Sequence, residues 1–212
     1  MILKPIFIKI LFVLALMPAV TSLFAQEPLK DQKEWLAKIN AKNEHITSLQ
    51  ADFEQQKVMS FLLEPISSYG KFWFQKENSI RWEYQKPYSY IIIMDNGQLR
   101  VKDGKDEYNT DLSANAVFQQ MNSLISGSIQ GDLLQDQQHY SFLFFENENQ
   151  IIIRVLPKDE QLLAYLDYME LYFHKEQLHM EILLMHEPSG DFTKMIFSNS
   201  ILNKEIDEDV FK

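Results

Sequence analysis

The side chains best suited to metal or acid–base chemistry are dispersed along this chain and do not form a known motif. The sequence has five histidines and no cysteine. No two histidines have the HExxH spacing that puts two metal ligands on one face of a helix. We therefore predict no metal site and interpret the histidines as surface or strand-face residues. They are His45, His139, His174, His179 and His186.

Motifs for a nucleophile or for phosphate binding are also incomplete. Residues 127–131 read GSIQG, in which Ser128 comes one position too early for the GxSxG nucleophile elbow. None of the six glycines lies in a GxGxxG or GxxxxGK loop whose backbone amides would contact a phosphate. The sequence therefore disfavours hydrolysis at Ser128 and nucleotide chemistry.

The acidic residues would suit calcium binding or glycoside cleavage, but the sequence selects neither. Asp103, Asp106 and Glu107 lack the alternating ligand order of a calcium loop, so we interpret them as a solvated turn. A carboxylate pair for glycoside cleavage stays open, because among 30 acidic residues only the distance in space would identify it. We expect that the protein is not an enzyme and has no cofactor.

The strongest positive pattern is a set of aromatic residues at strand spacing within residues 68–97. Ile80, Trp82 and Tyr84 fall on one side of a strand and Arg81 on the other, because successive side chains point to opposite faces. An ordinary β-domain core would explain any one of them. Together they suggest an apolar face offered to something else, and broad aromatic and methionine side chains suit flexible acyl chains. The residues that could share this face are Phe72, Phe74, Ile80, Trp82, Tyr84, Tyr90 and Ile92.

Antiparallel strands are the expected scaffold for this face. From Ala51 onward, runs rich in β-branched and aromatic residues alternate with turn residues. The Asn96-Gly97 pair favours the primed turn of a two-residue hairpin. Strands joined by short turns make an antiparallel meander. We predict hairpins from residues 90–94 and 98–102, from 140–145 and 150–156, and from 168–173 and 178–185, then a strand over 192–197.

Two helices are predicted to accompany the sheet. Apolar residues recur at helical spacing over residues 31–49. A second apolar stripe follows a cap from Asp111 or Ser113 and ends near Gly127, with a short helical turn at 132–134. Such a small number of helices cannot cover both faces of a large sheet. We therefore expect the sheet to curl and the helices to cover its open side. The first helix would bury Leu36, Ile39, Ile46 and Leu49, and the second Val117, Met121, Leu124 and Ile125.

The N-terminal residues predict export. Lys4 and Lys9 precede an apolar run over residues 10–17, and Ala25 is a small residue suited to cleavage, so residues 1–25 are predicted to be a secretory signal peptide. The run is far shorter than the roughly 20 residues that span a bilayer. Because the chain has no cysteine, we expect neither a lipid anchor nor a disulfide. Residues 26–212 are expected to form one soluble domain that acts as a monomer.

The charge limits the possible partners. The formal net charge is −10, and removal of the signal peptide would take away two lysines. A strongly acidic chain is poorly suited to binding nucleic acid or an anionic membrane surface. We interpret the dispersed acidic residues as a solvated surface.

Several residues, in their order along the chain, resemble a known family. Gly70, the run Arg81-Trp82-Glu83-Tyr84, Pro87 and the turn at residues 95–97 are similar to the periplasmic carriers of outer-membrane lipoproteins, the LolA-like family. The likeness covers nearly all of residues 26–212. It also includes the upstream Phe53-Glu54-Gln55 and the closing Phe197, Asn203, Ile206 and Phe211.

The resemblance implies a fold and a function. The fold is a mostly β, unclosed (half-open) antiparallel β-barrel with an N-terminal helix and a helical lid over an apolar concave face. The function is that of a periplasmic chaperone, which shelters lipoprotein acyl chains and carries them from the inner to the outer membrane. The implied partners are an inner-membrane lipoprotein-releasing transporter and an outer-membrane lipoprotein acceptor. The carrier itself would not hydrolyse nucleotides.

Site residues follow from the resemblance and from the strand pattern. The family often has an arginine followed by proline after the strand of Gly70, where the arginine holds the lid shut, but here that place reads Lys76-Glu77. Lys76 is therefore a candidate for a looser lid latch. Arg81 is expected to pair with a neighbouring acidic residue. The lid would carry Val117, Met121, Leu124 and Ile125, and the acyl cavity would be lined by Phe53, Phe72, Phe74, Ile80, Trp82, Tyr84, Tyr90, Ile92, Met180 and Ile182.

Two alternative functions remain at this point. The first is carriage of another apolar molecule, such as a glycolipid or a pigment precursor, which the residues do not distinguish from lipoprotein cargo. The second is a regulatory domain that senses lipids or lipoproteins. A sensor would usually need an additional domain for its partner, whereas a carrier would act as this domain alone.

Overall fold

The structure is a computed structural model that describes residues 26–77, 79–114 and 116–212. The predicted signal peptide, residues 1–25, lies outside these ranges, and so does the side chain of Val117. In the described residues no helix is both long enough and apolar enough to cross a membrane.

In the described part of the chain, twelve antiparallel strands form a single sheet. Their order is β1-β8-β9-β10-β11-β12-β2-β3-β4-β5-β6-β7, so the edge strands β1 and β7 lie at opposite ends of the sheet and it stays unclosed. This confirms the predicted half-open antiparallel architecture. The strands are β1 (Glu27–Pro28), β2 (Ser48–Val58), β3 (Ile66–Gln75), β4 (Ser79–Lys86), β5 (Tyr90–Asp95), β6 (Gln98–Asp103), β7 (Asp106–Asp111), β8 (Tyr140–Glu146), β9 (Gln150–Pro157), β10 (Tyr168–His174), β11 (Met180–His186) and β12 (Phe192–Leu202).

The predicted hairpins are present. Asp95 pairs with Gln98 across a two-residue turn in which Asn96 and Gly97 have φ of 47° and 74°. Positive φ at both central residues is what a primed turn requires. The pairs β8–β9 and β10–β11 also follow the predicted order, with strand ends within two residues of those predicted.

The N-terminal helix is shorter than predicted. Helix α1 spans Gln32–Asn43, and Leu49 lies on strand β2 instead. Leu49, Ala51 and Phe53 are all buried and alternate along that strand. The prediction over residues 31–49 was wrong because Leu49 fits two patterns. It is the last apolar residue at helical spacing and also the first of the series that alternates along the strand.

Helix α2 spans Ala116–Gln130, so it begins and ends a few residues later than predicted. Gly127 does not end it: an added Cβ there would lie 3.2 Å from the Leu133 Cβ, so this glycine allows close packing inside the helix. The chain leaves the helix at Gly131, whose φ is 83°. Asp111 accepts hydrogen bonds from Ser113 and so caps a short 3-10 helix over Leu112–Ala114, not α2.

Three short elements complete the described chain. A 3-10 helix over Asp132–Gln135 matches the predicted helical turn. Helix α3 (Glu160–Leu163) begins at Asp159, whose carboxylate accepts hydrogen bonds from the amides of Gln161 and Leu162. A last 3-10 helix covers Glu208–Phe211.

The hydrophobic core divides between the two faces of the sheet. We call the face whose side chains pack with α1 and α2 the inner face; this is the main core cluster. A smaller cluster on the outer face joins Ile93 to Ile206 and Phe211 of the C-terminal segment. The inner face therefore carries most of the buried apolar surface, and the candidate site is built on it.

Candidate ligand-binding site

The floor of the site is an aromatic cluster on adjacent strands β2, β3, β4 and β12. The ring centroids of Phe72 and Trp82, which are directly paired residues, lie 4.3 Å apart. Phe53 meets the Trp82 ring edge-on at 5.2 Å, and Phe197 lies 5.5 Å from Phe72. Edge-on and tilted contacts at these distances are favourable for aromatic rings. Together these four rings make a continuous apolar floor.

Gly70 makes this packing possible. It is paired with Phe53, and a Cβ at Gly70 would lie 2.8 Å from the Phe53 ring and 2.0 Å from the Glu83 carbonyl oxygen. No larger residue fits without moving backbone. The glycine on which the family resemblance partly rested therefore has a steric explanation in this chain.

Two tyrosines continue the floor along β4 and β5. The rings of Tyr84 and Tyr90 stack at 4.2 Å, and the Tyr84 hydroxyl donates a 2.6 Å hydrogen bond to Gln55. Burial raises the pKa of Tyr84 well above its ordinary value, with a further contribution from Tyr90. This hydroxyl therefore stays neutral, and the floor adds no charge here.

Helix α2 covers the floor. Leu124, Ile125 and Ile129 are buried in the same cluster as the aromatic rings, and Met121 packs against it half-buried. One small cavity of about 20 Å³, with room for about one water molecule, lies beside Ile129, Phe72 and Phe197. A hollow large enough for acyl chains stays a prediction, and in the described residues the α2 stripe packs into the same cluster as the aromatic rings. The cavity is lined by Asn43, Ile46, Leu49, Phe72, Ile129, His179, Met180, Phe197, Ser200 and Leu202.

Comparison with known proteins agrees with this architecture. Residues 44–212 match the family model for the outer membrane lipoprotein carrier protein LolA. The chain belongs to the LolA family. An outer-membrane lipoprotein carrier protein of Chromohalobacter salexigens is 24% identical over 169 residues, which cover 79% of this chain and 77% of that protein.

Solved structures with this fold differ widely in sequence. An uncharacterized conserved protein from Thermus thermophilus aligns with a TM-score of 0.50 at 8% identity, covering 86% of this chain and 94% of that one. A LolA superfamily protein from Nitrosomonas europaea aligns with a TM-score of 0.47 at 10% identity, covering 85% of this chain and 96% of that one.

Most of the residues predicted for the acyl cavity lie on the inner face of this LolA-family chain. Among them, Tyr90 and Ile92 are half-buried at its margin. The fully or largely buried ones are Phe53, Phe72, Phe74, Ile80, Trp82, Tyr84 and Met180.

Ile182 is the exception. It pairs with Tyr172, whereas Met180 pairs with Phe173, and the register shifts between these two pairs. Because of this irregularity, no residue of β10 is paired with Glu181, and the side chains after it point to the opposite face from the one that simple alternation predicts. Ile182 therefore lies on the outer face. The prediction that Met180 and Ile182 share a face was therefore wrong.

The structure does not place Lys76 as a latch. Its side chain is exposed in the β3–β4 turn and has no hydrogen-bond partner within the described ranges; only its backbone amide donates, to Thr47 O at 2.8 Å. Among the described residues the Lys76 side chain forms no hydrogen bond or ion pair with α2, and its role as a latch stays a prediction.

Arg81 makes the predicted ion pair, and it also binds the C-terminal segment. Its guanidinium lies 2.7 Å from Glu83 and donates a 2.9 Å hydrogen bond to the Val210 carbonyl. Burial of the Glu83 carboxyl opposes its ionisation, but hydrogen bonds from Arg81 and Gln85 hold its pKa below the ordinary value. Arg81 therefore acts on the outer face and stabilises the fold, away from the aromatic floor.

Helix α2 carries buried polar groups that its sequence pattern did not identify. The Ser126 hydroxyl and the Gln120 side-chain oxygen are buried without a hydrogen-bond partner in the described part of the chain. Ser128 donates only within the helix, to Leu124 O at 2.6 Å. Ile129 was also missed, because the helix was predicted to end at Gly127; its spacing of four residues from Ile125 could have identified it.

Proposed function

We propose that this protein is a periplasmic carrier that shelters lipoprotein acyl chains on its inner face and takes them from the inner to the outer membrane. It would receive them from a transporter, give them to an acceptor, and catalyse no reaction. The observation that carries this proposal is the burial of the apolar stripe of α2 in one cluster with the aromatic inner face. An acyl chain can occupy that face only by replacing the stripe.

The exchange keeps the cargo transferable. Burial of an acyl chain contributes about 0.8 kcal/mol per CH₂ group. Exposing the buried Leu124, Ile125 and Ile129 would cost about 1.5–3 kcal/mol for each side chain. The gain from cargo is therefore reduced by the cost of displacing the cover, so that a later acceptor can take the cargo.

The composition of α2 favours displacement over permanent packing. The unpaired Ser126 and Gln120 groups regain hydrogen bonds with water when the helix leaves the floor, which offsets part of the cost. Ser123, Ser126, Gly127 and Ser128 also lower its intrinsic helix stability. A helix that served only as a core element would gain from apolar residues or alanine at such positions.

A reversible covalent lock tests the exchange directly. A Cβ added at Gly131 would lie 3.7 Å from the Asn43 Cβ, within the range of disulfides, and the chain has no cysteine of its own. The φ of 83° at Gly131 strains a cysteine there in both redox states, so the two states of one protein are compared. We expect that the double variant Asn43→Cys/Gly131→Cys binds a fluorescent triacylated lipopeptide when reduced and loses at least about tenfold in affinity when oxidised.

The same protein before and after reduction is the control for the two substitutions, and mass spectrometry confirms that the disulfide forms. Equal lipopeptide binding by the oxidised and reduced forms would contradict displacement of α2. To distinguish lipoprotein from another apolar cargo, the protein can be purified from its native envelope and the bound molecule identified by mass spectrometry. Recovery of only a glycolipid or a pigment precursor would contradict the lipoprotein assignment.

A further inference from the structure

Large apolar side chains are exposed together at one end of the sheet. Leu63 is 104% exposed, Phe61 75% and Leu62 39%, in the loop between β2 and β3. Ile66 at the start of β3 and Tyr88 in the β4–β5 turn are also exposed. We name these five residues the apolar tip. Three consecutive apolar residues in water are unusual for a loop and suggest a contact surface.

Strand register places the two parts of the apolar tip at the same end. Lys57 pairs with Ile66, so the intervening loop extends beyond the ends of β2 and β3. Tyr69 pairs with Lys86, so Tyr88 lies beside the first residues of β3. The tip is therefore a protrusion and not a groove.

The protruding loop is ordered at its base. The Ser60 amide donates a 2.9 Å hydrogen bond to Asp191, and the Leu62 amide donates to Met59 O at 2.9 Å. Lys57 forms an ion pair with Glu187 of the adjacent β11–β12 turn. The apolar side chains thus stay in solvent because a structured turn keeps them there.

The size and shape of the tip fit a bilayer surface better than a folded partner. At their exposed fractions the five side chains present the surface of fewer than four fully exposed residues, about 700 Å² at roughly 200 Å² each, which is below the roughly 800 Å² per partner of a stable protein interface. A protrusion also needs a complementary groove on a protein, whereas the lipid interface deforms around it. Leucine and phenylalanine suit the acyl boundary, and Tyr88 suits the headgroup level.

Charge selects the kind of membrane. The chain has a formal net charge of −10, and the loop itself contains Glu64. Lys57 of β2 is already paired with Glu187, and the exposed Lys86, two residues before Tyr88, is outnumbered by Glu64 and by Asp191, which accepts from the Ser60 amide. An anionic surface would repel this end of the molecule, so the apolar tip suits a surface of neutral, zwitterionic lipids.

We propose that the apolar tip inserts reversibly and shallowly into the headgroup region of a neutral membrane. The contact is a property of the empty protein and does not depend on the carrier function proposed above. If both hold, the tip would bring the β4–β5 end of the inner face, where Tyr90 begins β5, next to the lipid from which an acyl chain leaves or which it enters.

Vesicle flotation of the empty mature protein, residues 26–212 without the predicted signal peptide, tests the insertion. We expect binding to vesicles of phosphatidylcholine and phosphatidylethanolamine, and weaker binding when about a third of the lipid is phosphatidylglycerol. Leu63→Asp and Phe61→Ser should each lower the partition coefficient about tenfold. Leu143→Asp and Tyr108→Ser are matched controls, because these residues are 46% and 62% exposed on strands away from the tip.

A labelling experiment gives a readout that does not depend on an affinity change. The chain has no cysteine, so Leu63→Cys and Tyr108→Cys can each carry one environment-sensitive dye. Only the dye at position 63 should shift to the blue on neutral vesicles and be quenched by spin-labelled lipid. No binding of the unmodified protein, equal binding of Leu63→Asp, or stronger binding to anionic vesicles would overturn the proposal. So would self-association that the tip variants abolish, since the tip would then join two copies.

Discussion

The aromatic floor and the helix that covers it are equally buried but differently built. On the floor, Phe72 and Trp82 sit on paired strands whose backbones are hydrogen-bonded on both sides. On the cover, Ser126 is buried without a hydrogen-bond partner within the described residues, and the stripe of α2 joins the floor in one apolar cluster. This difference supports the proposal that the floor is a fixed wall and that α2 is the part that leaves it.

The largest expected effect on stability comes from removing an aromatic ring from the floor. Phe72 is 0% exposed and contacts both Trp82 and Phe197. Phe72→Ala should lower the free energy of unfolding by about 3–5 kcal/mol in urea denaturation, since a cavity in a sheet core cannot collapse. The control Tyr69→Ala, on the outer face of the same strand and 45% exposed, should change it by about 0.5 kcal/mol or less. A loss below about 1 kcal/mol for Phe72→Ala would mean that the floor is not a fixed wall.

A charge under α2 should lower the free energy of unfolding less than Phe72→Ala does. It should expose apolar surface without unfolding the domain. Leu124 is 1% exposed under α2, so Leu124→Asp would bury an unpaired carboxylate if the helix stayed in place. A displaceable helix leaves the floor instead, and the loss of unfolding free energy then cannot exceed the cost of that displacement. We expect the variant to stay folded, to bind an apolar fluorescent dye several-fold more strongly and to lose monomer to aggregation.

Ser123→Asp is the matched control, because Ser123 is exposed on the same helix. It should leave dye binding and monomer content unchanged. If Leu124→Asp instead unfolded the whole domain as Phe72→Ala does, α2 would be part of one cooperative core with the floor.

The strands and turns could be predicted from the sequence because they depend on local rules. Alternation of apolar residues fixes which face a strand buries, and Asn96-Gly97 can adopt the positive φ values of its turn more readily than most residue pairs. The aromatic floor followed from the same rule. Phe53, Phe72 and Trp82 lie where period-two counting places them.

The errors arose where a residue's role depends on a distant part of the chain. Ile182 changed face because of an irregularity between β10 and β11, which no single-strand pattern reveals. Gly127 looked like a helix end, yet its missing Cβ makes room for Leu133. The stripe around Leu124 was predicted as a lid, and the space that it leaves above the floor likewise depends on packing between distant parts of the chain.

The smallest expected effect distinguishes a helix that leaves the floor from a helix that stays in the core with a poorly satisfied polar group. Ser126→Ala removes a buried hydroxyl that has no partner among the described residues, so it should raise the free energy of unfolding by about 1 kcal/mol. Ser128→Ala is the control: it gains the same helix propensity but loses the hydrogen bond to Leu124 O. The difference between the two variants isolates the buried hydroxyl of Ser126.

If α2 must leave the floor for cargo to enter, Ser126→Ala should also slow lipopeptide uptake by a few-fold in stopped-flow fluorescence while Ser128→Ala does not. A more stable Ser126→Ala protein with unchanged uptake would show that acyl chains reach the floor without moving this part of the helix.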